Sequence, residues 1–274
     1  MQSILTIATL SGILLSGLDL PVYAQESRTA PVMEIVREPI REGKGAAHEK
    51  AEADYAAIFR KANFPGHYVA LKAISGPSEV WFLQPMASFE ANQEYEQASE
   101  QEPLKSELAV AESRDGEMRA SSRTIWAVVR PDMSYHPEKF DPIKTRYVMA
   151  GVFQVKLGRD ADFLRAAKTY FDAFEKANVD QCTVAYQVVA GATSGTYLFF
   201  TPMLSMKALD ESAARMQAVQ QAMGADTFRA FMANTGDLMV SIDDTLLEVS
   251  PGMSYPPQRY IDADPDFWMP ARRH

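Results

Sequence analysis

The sequence predicts an α+β protein made of two tandem β-α-β-β-α-β repeats whose sheets face one another. Three observations predict it. First, short motifs recur in the same order. Phe59-Arg60-Lys61-Ala62-Asn63 is echoed by Phe174-Glu175-Lys176-Ala177-Asn178, Leu83-Gln84-Pro85-Met86 by Phe200-Thr201-Pro202-Met203, and Met133-Ser134-Tyr135-His136-Pro137 by Met253-Ser254-Tyr255-Pro256-Pro257. The offsets (59 to 174, 85 to 202, 133 to 253) are 115, 117 and 120 residues, too long for a solenoid unit and right for a duplicated domain. Second, strand-like and helix-like periodicities alternate in the same order in each copy. Third, both hairpins are apolar on successive residues (Val80-Trp81-Phe82-Leu83 and Tyr197-Leu198-Phe199-Phe200), so both faces of each sheet must be covered.

The elements follow in order. Residues 25–31 form a polar leader, and Val32 to Arg37 open repeat 1 (32–135) as a strand that ends before Gly43 and Gly45. A helix is expected over about 46–63: Ala51, Tyr55, Ile58, Phe59 and Ala62 recur at helical spacing, with Glu49, Lys50, Glu52 and Arg60 elsewhere on the cylinder. Pro65-Gly66 breaks it, and a hairpin follows, 67–73 with 79–84, around Ser75-Gly76-Pro77-Ser78. Helix resumes from about Phe89 to Met118, interrupted at Pro103, and repeat 1 closes on a strand over 124–129. Residues 136–146 are the linker. Repeat 2 (147–257) gives a strand over 147–157, a helix over about 160–177, a hairpin of 183–189 with 196–201, helices near 207–222 and 225–236, and a strand near 244–250. Residues 258–274, with Phe267 and Trp268, are expected to lie along the surface as a strap.

Composition narrows the function. The chain has 274 residues, 47% hydrophobic and 23% charged, a globular balance with length for two modest domains. A net charge of −9 and no basic run argue against nucleic acid as partner. Residues 1–24 have the pattern of a signal peptide: 4–18 are uncharged, and Val22-Tyr23-Ala24 is a small-x-small site before Gln25. A basic n-region is missing and Asp19 intrudes, but the apolar stretch falls short of the roughly 20 residues of a membrane span. The expected location is secreted or periplasmic, with no membrane contact after cleavage. Cys182 is the only cysteine, so no internal disulfide forms, and its position ahead of Val184 and Tyr186 suits a small apolar residue better than a nucleophile.

A β-α-β-β-α-β unit is the ferredoxin-like split fold, and two of them packed sheet to sheet give an intramolecular pseudo-dimeric α+β barrel. In element order and duplication, residues 32–257 resemble the dimeric α+β barrel superfamily, which includes antibiotic-biosynthesis monooxygenases, chlorite-dismutase-like haem proteins and NIPSNAP-like domains. No catalytic signature of any member is matched. The resemblance implies a ligand site between helices and sheet.

His48 is the interesting residue there, because it falls on the apolar face of its helix and aligns with Phe163 at the 115 offset. It is either a haem ligand or acid/base in a pocket, or a structural histidine satisfied at a helix start; a lone histidine on an apolar face favours the second. No metal site is expected: the four histidines are scattered, and nearby carboxylates read as helix-surface residues. Asp243-Asp244 and the Asp262, Asp264 and Asp266 cluster read as solvated turns. Gln84, Thr201, Tyr135 and Tyr255, kept in both copies, read as parts of the shared fold. Asymmetry (His48 against Phe163, Trp81 against Leu198) places any pocket in repeat 1. The expected function is an exported, monomeric binding barrel for a small apolar or aromatic molecule or a partner, without cofactor. The alternative is a monooxygenase-like or haem-dependent oxidoreductase, with His48 as ligand or base and Tyr55, Tyr68 and Trp81 lining the site.

Overall fold

The structure, a computed structural model, describes residues 29–269. The expected signal peptide, residues 25–28 of the leader and residues 270–274 lie outside them. The first half contains β1 (Val32–Pro39), α1 (Gly45–Ala62), β2 (Tyr68–Ala73), β3 (Glu79–Met86), α2 (Phe89–Ser99), α3 (Leu104–Asp115) and β4 (Arg123–Val129). The second contains β5 (Tyr147–Val155), α4 (Asp160–Lys176), β6 (Val184–Ala190), β7 (Thr196–Met203), α5 (Lys207–Asp210), α6 (Ser212–Met223), α7 (Ala225–Leu238) and β8 (Met239–Tyr255), and α8 (Gln258–Ala263) and α9 (Pro265–Trp268) follow. Each half thus has the expected order of elements.

The eight strands close one antiparallel barrel in the order β1-β3-β2-β8-β5-β7-β6-β4. The halves meet along two hydrogen-bonded seams, β2 with β8 and β4 with β6. Closure leaves no free sheet edge, and the inner faces of both sheets share one core. Met33, Ile35, Leu71 and Trp81 from the first half meet Val148, Leu198, Phe200 and Leu247 from the second inside it. Residues of opposite parity, such as Glu34, Val36, Glu38, Phe82 and Gln84, point outward under the helices.

The strand registers relate the halves residue by residue. Val32 opposes Met86 as Tyr147 opposes Met203, so β1 maps onto β5 with the offset of 115. Ile40 bridges Arg119 as Val155 pairs with Met239, which maps the end of the α3 region onto the end of α7 with the offset of 120. Both α1 and the helix ending at Lys176 are followed by an asparagine in the left-handed region, Asn63 and Asn178, each at φ 50°.

The repeated Met-Ser-Tyr motif ties the halves together. Tyr135 donates to the carbonyl of Val179 at 3.1 Å, and Tyr255 to that of Phe64 at 2.9 Å. The neighbouring Ser134 accepts from the amide of Ala185, and Ser254 from that of Ala70. Each half therefore ends on a clamp over the other half. These residues serve the fold, as their retention in both copies suggested.

Two expectations are corrected. The C-terminal segment is no surface strap: Tyr260 and Trp268 join the barrel core, and the Trp268 indole donates to Ile143 at 3.1 Å. An indole and a phenol bury too much apolar area to lie in water beside an open barrel end. Asp243 and Asp244 belong to β8, which runs from Met239, well before the expected strand start; they pair with Val152 and Gly151. Cys182, by contrast, is buried in the core as the small apolar residue expected, and burial pushes its thiol up to about 11.

Candidate functional site

Between the outer face of the first-half sheet and helices α1 and α3 lies a cavity of about 470 Å³. Tyr55, Phe59, Tyr68 and Phe82 give it aromatic walls, and Glu34, Gln84 and Glu112 line it with polar groups. Glu38, Glu52, Ser99 and Arg119 form the rest of its polar surface. Tyr55 donates to Glu112 at 2.8 Å. The Tyr68 hydroxyl is buried with no hydrogen-bond partner. Such a group ordinarily finds one in water or a ligand.

Behind Glu38 and Glu52 sits a buried cluster. His48 Nε2 lies 3.1 Å from Glu38 Oε2, 3.5 Å from Asp115 Oδ1 and 3.8 Å from Glu52 Oε1. His48 and Asp115 are both 0% exposed. Arg119 donates to Glu38 and Glu112, and its Nη1 is 3.2 Å from Asp115 Oδ2. Neither Asp115 oxygen nor His48 Nδ1 has a hydrogen-bond partner.

Electrostatics follow from burial. Desolvation, with Asp115 and Glu38 nearby, pushes Glu52 up to about 9, and desolvation pushes Asp115 up to about 6 against the pull of His48. Burial also acts to raise Glu38, but its hydrogen bonds to His48 and Arg119 hold it below the usual carboxylate range. Removing several charged groups from water costs several kcal/mol each before pairing, which makes the cluster an expensive way to fill space.

The second half builds a matching cavity without the buried charged cluster. Its counterpart is also about 470 Å³ and is lined by Met149, Phe153, Phe163, Ala167, Tyr170 and Phe174 among others. By the registers above, Glu38 corresponds to Phe153, His48 to Phe163, Glu52 to Ala167 and Arg119 to Met239. The same offset of 120 takes Asp115 to Thr235 and Glu112 to Met232, both on that cavity's wall. Tyr55, Phe59 and Phe82 keep aromatic counterparts in Tyr170, Phe174 and Phe199. The fold needs the aromatics twice. It carries the charged cluster once.

Of the four residues singled out from the sequence, the structure brings three together. Tyr55 and Tyr68 line the first-half cavity, and His48 lies in the cluster at its floor. Trp81 points the other way, into the barrel, where its indole donates to Glu79 at 2.7 Å and Arg37 lies 4.0 Å over its ring. Strand alternation gives its place on the cavity to Phe82 and Gln84. Glu52, expected on the helix surface, is buried, since it stands one turn beyond His48 on the same face. Glu38, Asp115 and Arg119 escaped the sequence reading, because residues so far apart in the chain show no spacing pattern.

Haem held through His48 does not fit. Neither cavity is lined by a histidine, and the His48 ring is enclosed by three carboxylates rather than turned toward open space. A further cavity of about 240 Å³ opens into the barrel core, lined by apolar residues such as Leu71, Val148 and Val249, with Arg259 and Tyr260 at its edge.

No family model and no curated protein matches this chain by sequence. Solved structures match its fold. An anthrone oxidase-like protein superposes with a TM-score of 0.52 at 14% identity, over 82% of this chain and 94% of that one. A monooxygenase candidate from Fusobacterium nucleatum gives 0.51 at 13%, over 81% and 93%. A chlorite dismutase mutant from Candidatus Nitrospira defluvii gives 0.50 at 9%, over 85% and 95%. The shared feature is the dimeric α+β barrel fold, here closed within one chain.

Proposed function

We propose that the first-half cavity binds a small aromatic molecule and is the reaction site of a monooxygenase-like enzyme. One observation carries this reading: two equivalent cavities occur on one barrel, and only the first holds a buried histidine, carboxylate and arginine cluster. A group that the fold can replace by Phe153, Phe163 and Ala167 is retained for chemistry rather than for packing. Aromatic walls suit a planar ring, and the unpaired Tyr68 hydroxyl and Gln84 would hold its polar substituents. The anthrone oxidase-like and monooxygenase-type neighbours support an oxygen-consuming reaction on such a ring. An origin by duplication, with charge kept in one copy, accounts for the asymmetry. Export to the periplasm or medium, with cleavage before Gln25, belongs to the same reading, and N-terminal sequencing of the secreted protein tests it.

The experiment is a panel of phenols and quinols offered to the mature protein, with binding read by equilibrium dialysis and turnover by oxygen uptake. Binding is expected to weaken roughly fivefold in Tyr68→Phe, the loss of about one hydrogen bond. The corresponding change Thr183→Val in the second half should leave it unmoved. Binding without oxygen uptake would favour a non-catalytic binding barrel. No binding at all would remove this reading.

A further inference from the structure

The buried cluster has the composition and the spacing of a metal site. We propose that Glu38, His48, Glu52 and Asp115 bind one divalent transition ion of the manganese, iron(II) or zinc class. The inference concerns the floor of the cavity discussed above but needs no aromatic ligand, so it stands or falls separately.

Geometry comes first. Ligand atoms of a tetrahedral site with bonds near 2.1 Å are about 3.4 Å apart. His48 Nε2 meets its three carboxylate oxygens at 3.1, 3.5 and 3.8 Å, which brackets that value. All four candidate ligand atoms lie within 4.8 Å of one another, so small rotamer adjustments bring them onto one ion. One imidazole with three carboxylates is a donor set for a borderline to hard cation, not for copper(I) or an iron–sulfur cluster.

A second observation points to a ligand independently of the spacing. Asp115 is 0% exposed, yet neither of its oxygens has a hydrogen-bond partner. Its Oδ1 is aimed at His48 Nε2, and its Oδ2 faces the Arg119 guanidinium. Oδ2 has the ion pair with Arg119 in place of a hydrogen bond, but Oδ1 has only the His48 ring at 3.5 Å; a buried carboxylate oxygen so poorly met is costly, and metal ligation removes the cost.

Charge and access agree. Ligation requires the three carboxylates ionised and the imidazole neutral, and against one guanidinium that set carries two negative charges, which one divalent ion neutralises. Arg119 bonds Glu38 through Oε1, and Oε2 faces His48 Nε2 at 3.1 Å, a hydrogen bond that an ion held between the two atoms would replace. Because Glu38 and Glu52 also line the cavity, an ion here has an entry path, and a molecule bound in the cavity could reach it by expansion to a fifth coordination position. The second half, with Phe153, Phe163, Ala167 and Thr235, offers no donor set of this kind.

The test uses the full mature protein, stripped with a chelator and titrated with manganese(II) or zinc(II) alone. Bound metal is counted by elemental analysis after gel filtration, and cobalt(II) substitution is followed by its visible ligand-field bands. One ion per chain is expected, with a raised melting temperature that the chelator reverses. Asp115→Asn and His48→Phe should each weaken binding by at least tenfold to a hundredfold and remove the cobalt bands. His48→Phe copies the residue used in the second half, and its near-ultraviolet circular dichroism checks that it folds. Asp244→Asn, on the wall of the second cavity, should bind as the unchanged protein does. Absence of stoichiometric binding in the folded, unchanged protein would overturn the proposal, as would binding indifferent to both substitutions.

Discussion

At the scale of single residues, Glu52 carries the clearest consequence. In the folded chain burial pushes its carboxyl up to about 9, from an ordinary 4.5. Between those values the folded protein holds a proton that the unfolded chain has released. The sign follows: Glu52 lowers stability progressively as pH rises from near 4.5 toward 9, and it contributes no such penalty below that window. Asp115 acts in the same direction over a lower window, from 3.8 to about 6, whereas Glu38, held below its ordinary range, acts oppositely at acid pH. In the presence of chelator, the melting temperature should therefore fall between pH 5 and pH 9, and Glu52→Gln should flatten that fall. Melts of both proteins in one buffer series read the difference. A curve for the Glu52→Gln variant as steep as the original would mean that the drop comes from elsewhere. His48 was legible as unusual because it opposes Phe163 at the repeat offset. Its partners were not, since Glu38, Asp115 and Arg119 reach it only through the pairing of β1 with its neighbours and the docking of α3.

At the scale of elements, the Met-Ser-Tyr segments are the joints of the barrel. Tyr135 and Tyr255 are buried, and each donates across the seam to the carbonyl after a helix of the other half. Removing either hydroxyl leaves a buried carbonyl without that bond, at a cost of about 1–2 kcal/mol. Tyr135→Phe and Tyr255→Phe should thus destabilise similarly in denaturant titrations, while neither changes ligand or metal binding in the first-half cavity. A loss confined to one of the pair would show that the seams are not equivalent. Most elements could be read from the sequence because strand alternation, Pro65-Gly66 and the glycine-rich hairpin loop 191–195 are local signals. Gly191 and Gly195 both take positive φ, 85° and 82°, and a Cβ on Gly191 would collide with the Thr124 carbonyl of β4. Which side of β3 faces the barrel was not legible. Trp81 and Phe82 are both apolar, so alternation alone cannot say which is inside, and only the closure of the barrel decides it.

At the scale of the whole molecule, the two halves are built to meet a copy of themselves. Both seams join the same kinds of strand: β2 lies against β8, and β6, its counterpart, lies against β4, the counterpart of β8. An isolated second half, residues 136–269, would expose the edges of β6 and β8 and the inner face formed by Val148, Leu198, Phe200 and Leu247. Two copies can satisfy both needs at once, β6 of each pairing with β8 of the other around a shared core. This half also lacks the buried charge cluster, and its outer cavity is lined mainly by aromatic and aliphatic side chains, with Asp244 on its wall. It should therefore purify as a homodimer by analytical ultracentrifugation. Leu198→Lys on the inner face should abolish dimer and fold together, because the strands have no other cover. The Tyr255 hydroxyl, which in the full chain reaches the carbonyl of Phe64, would find its counterpart at Val179 of the second copy, the carbonyl that Tyr135 uses now. A folded monomer would instead require that α8 and α9, with Tyr260 and Trp268, cover the inner face by themselves. In the intact barrel those residues fill one end of a core that both sheets enclose. They are too few to replace a sheet.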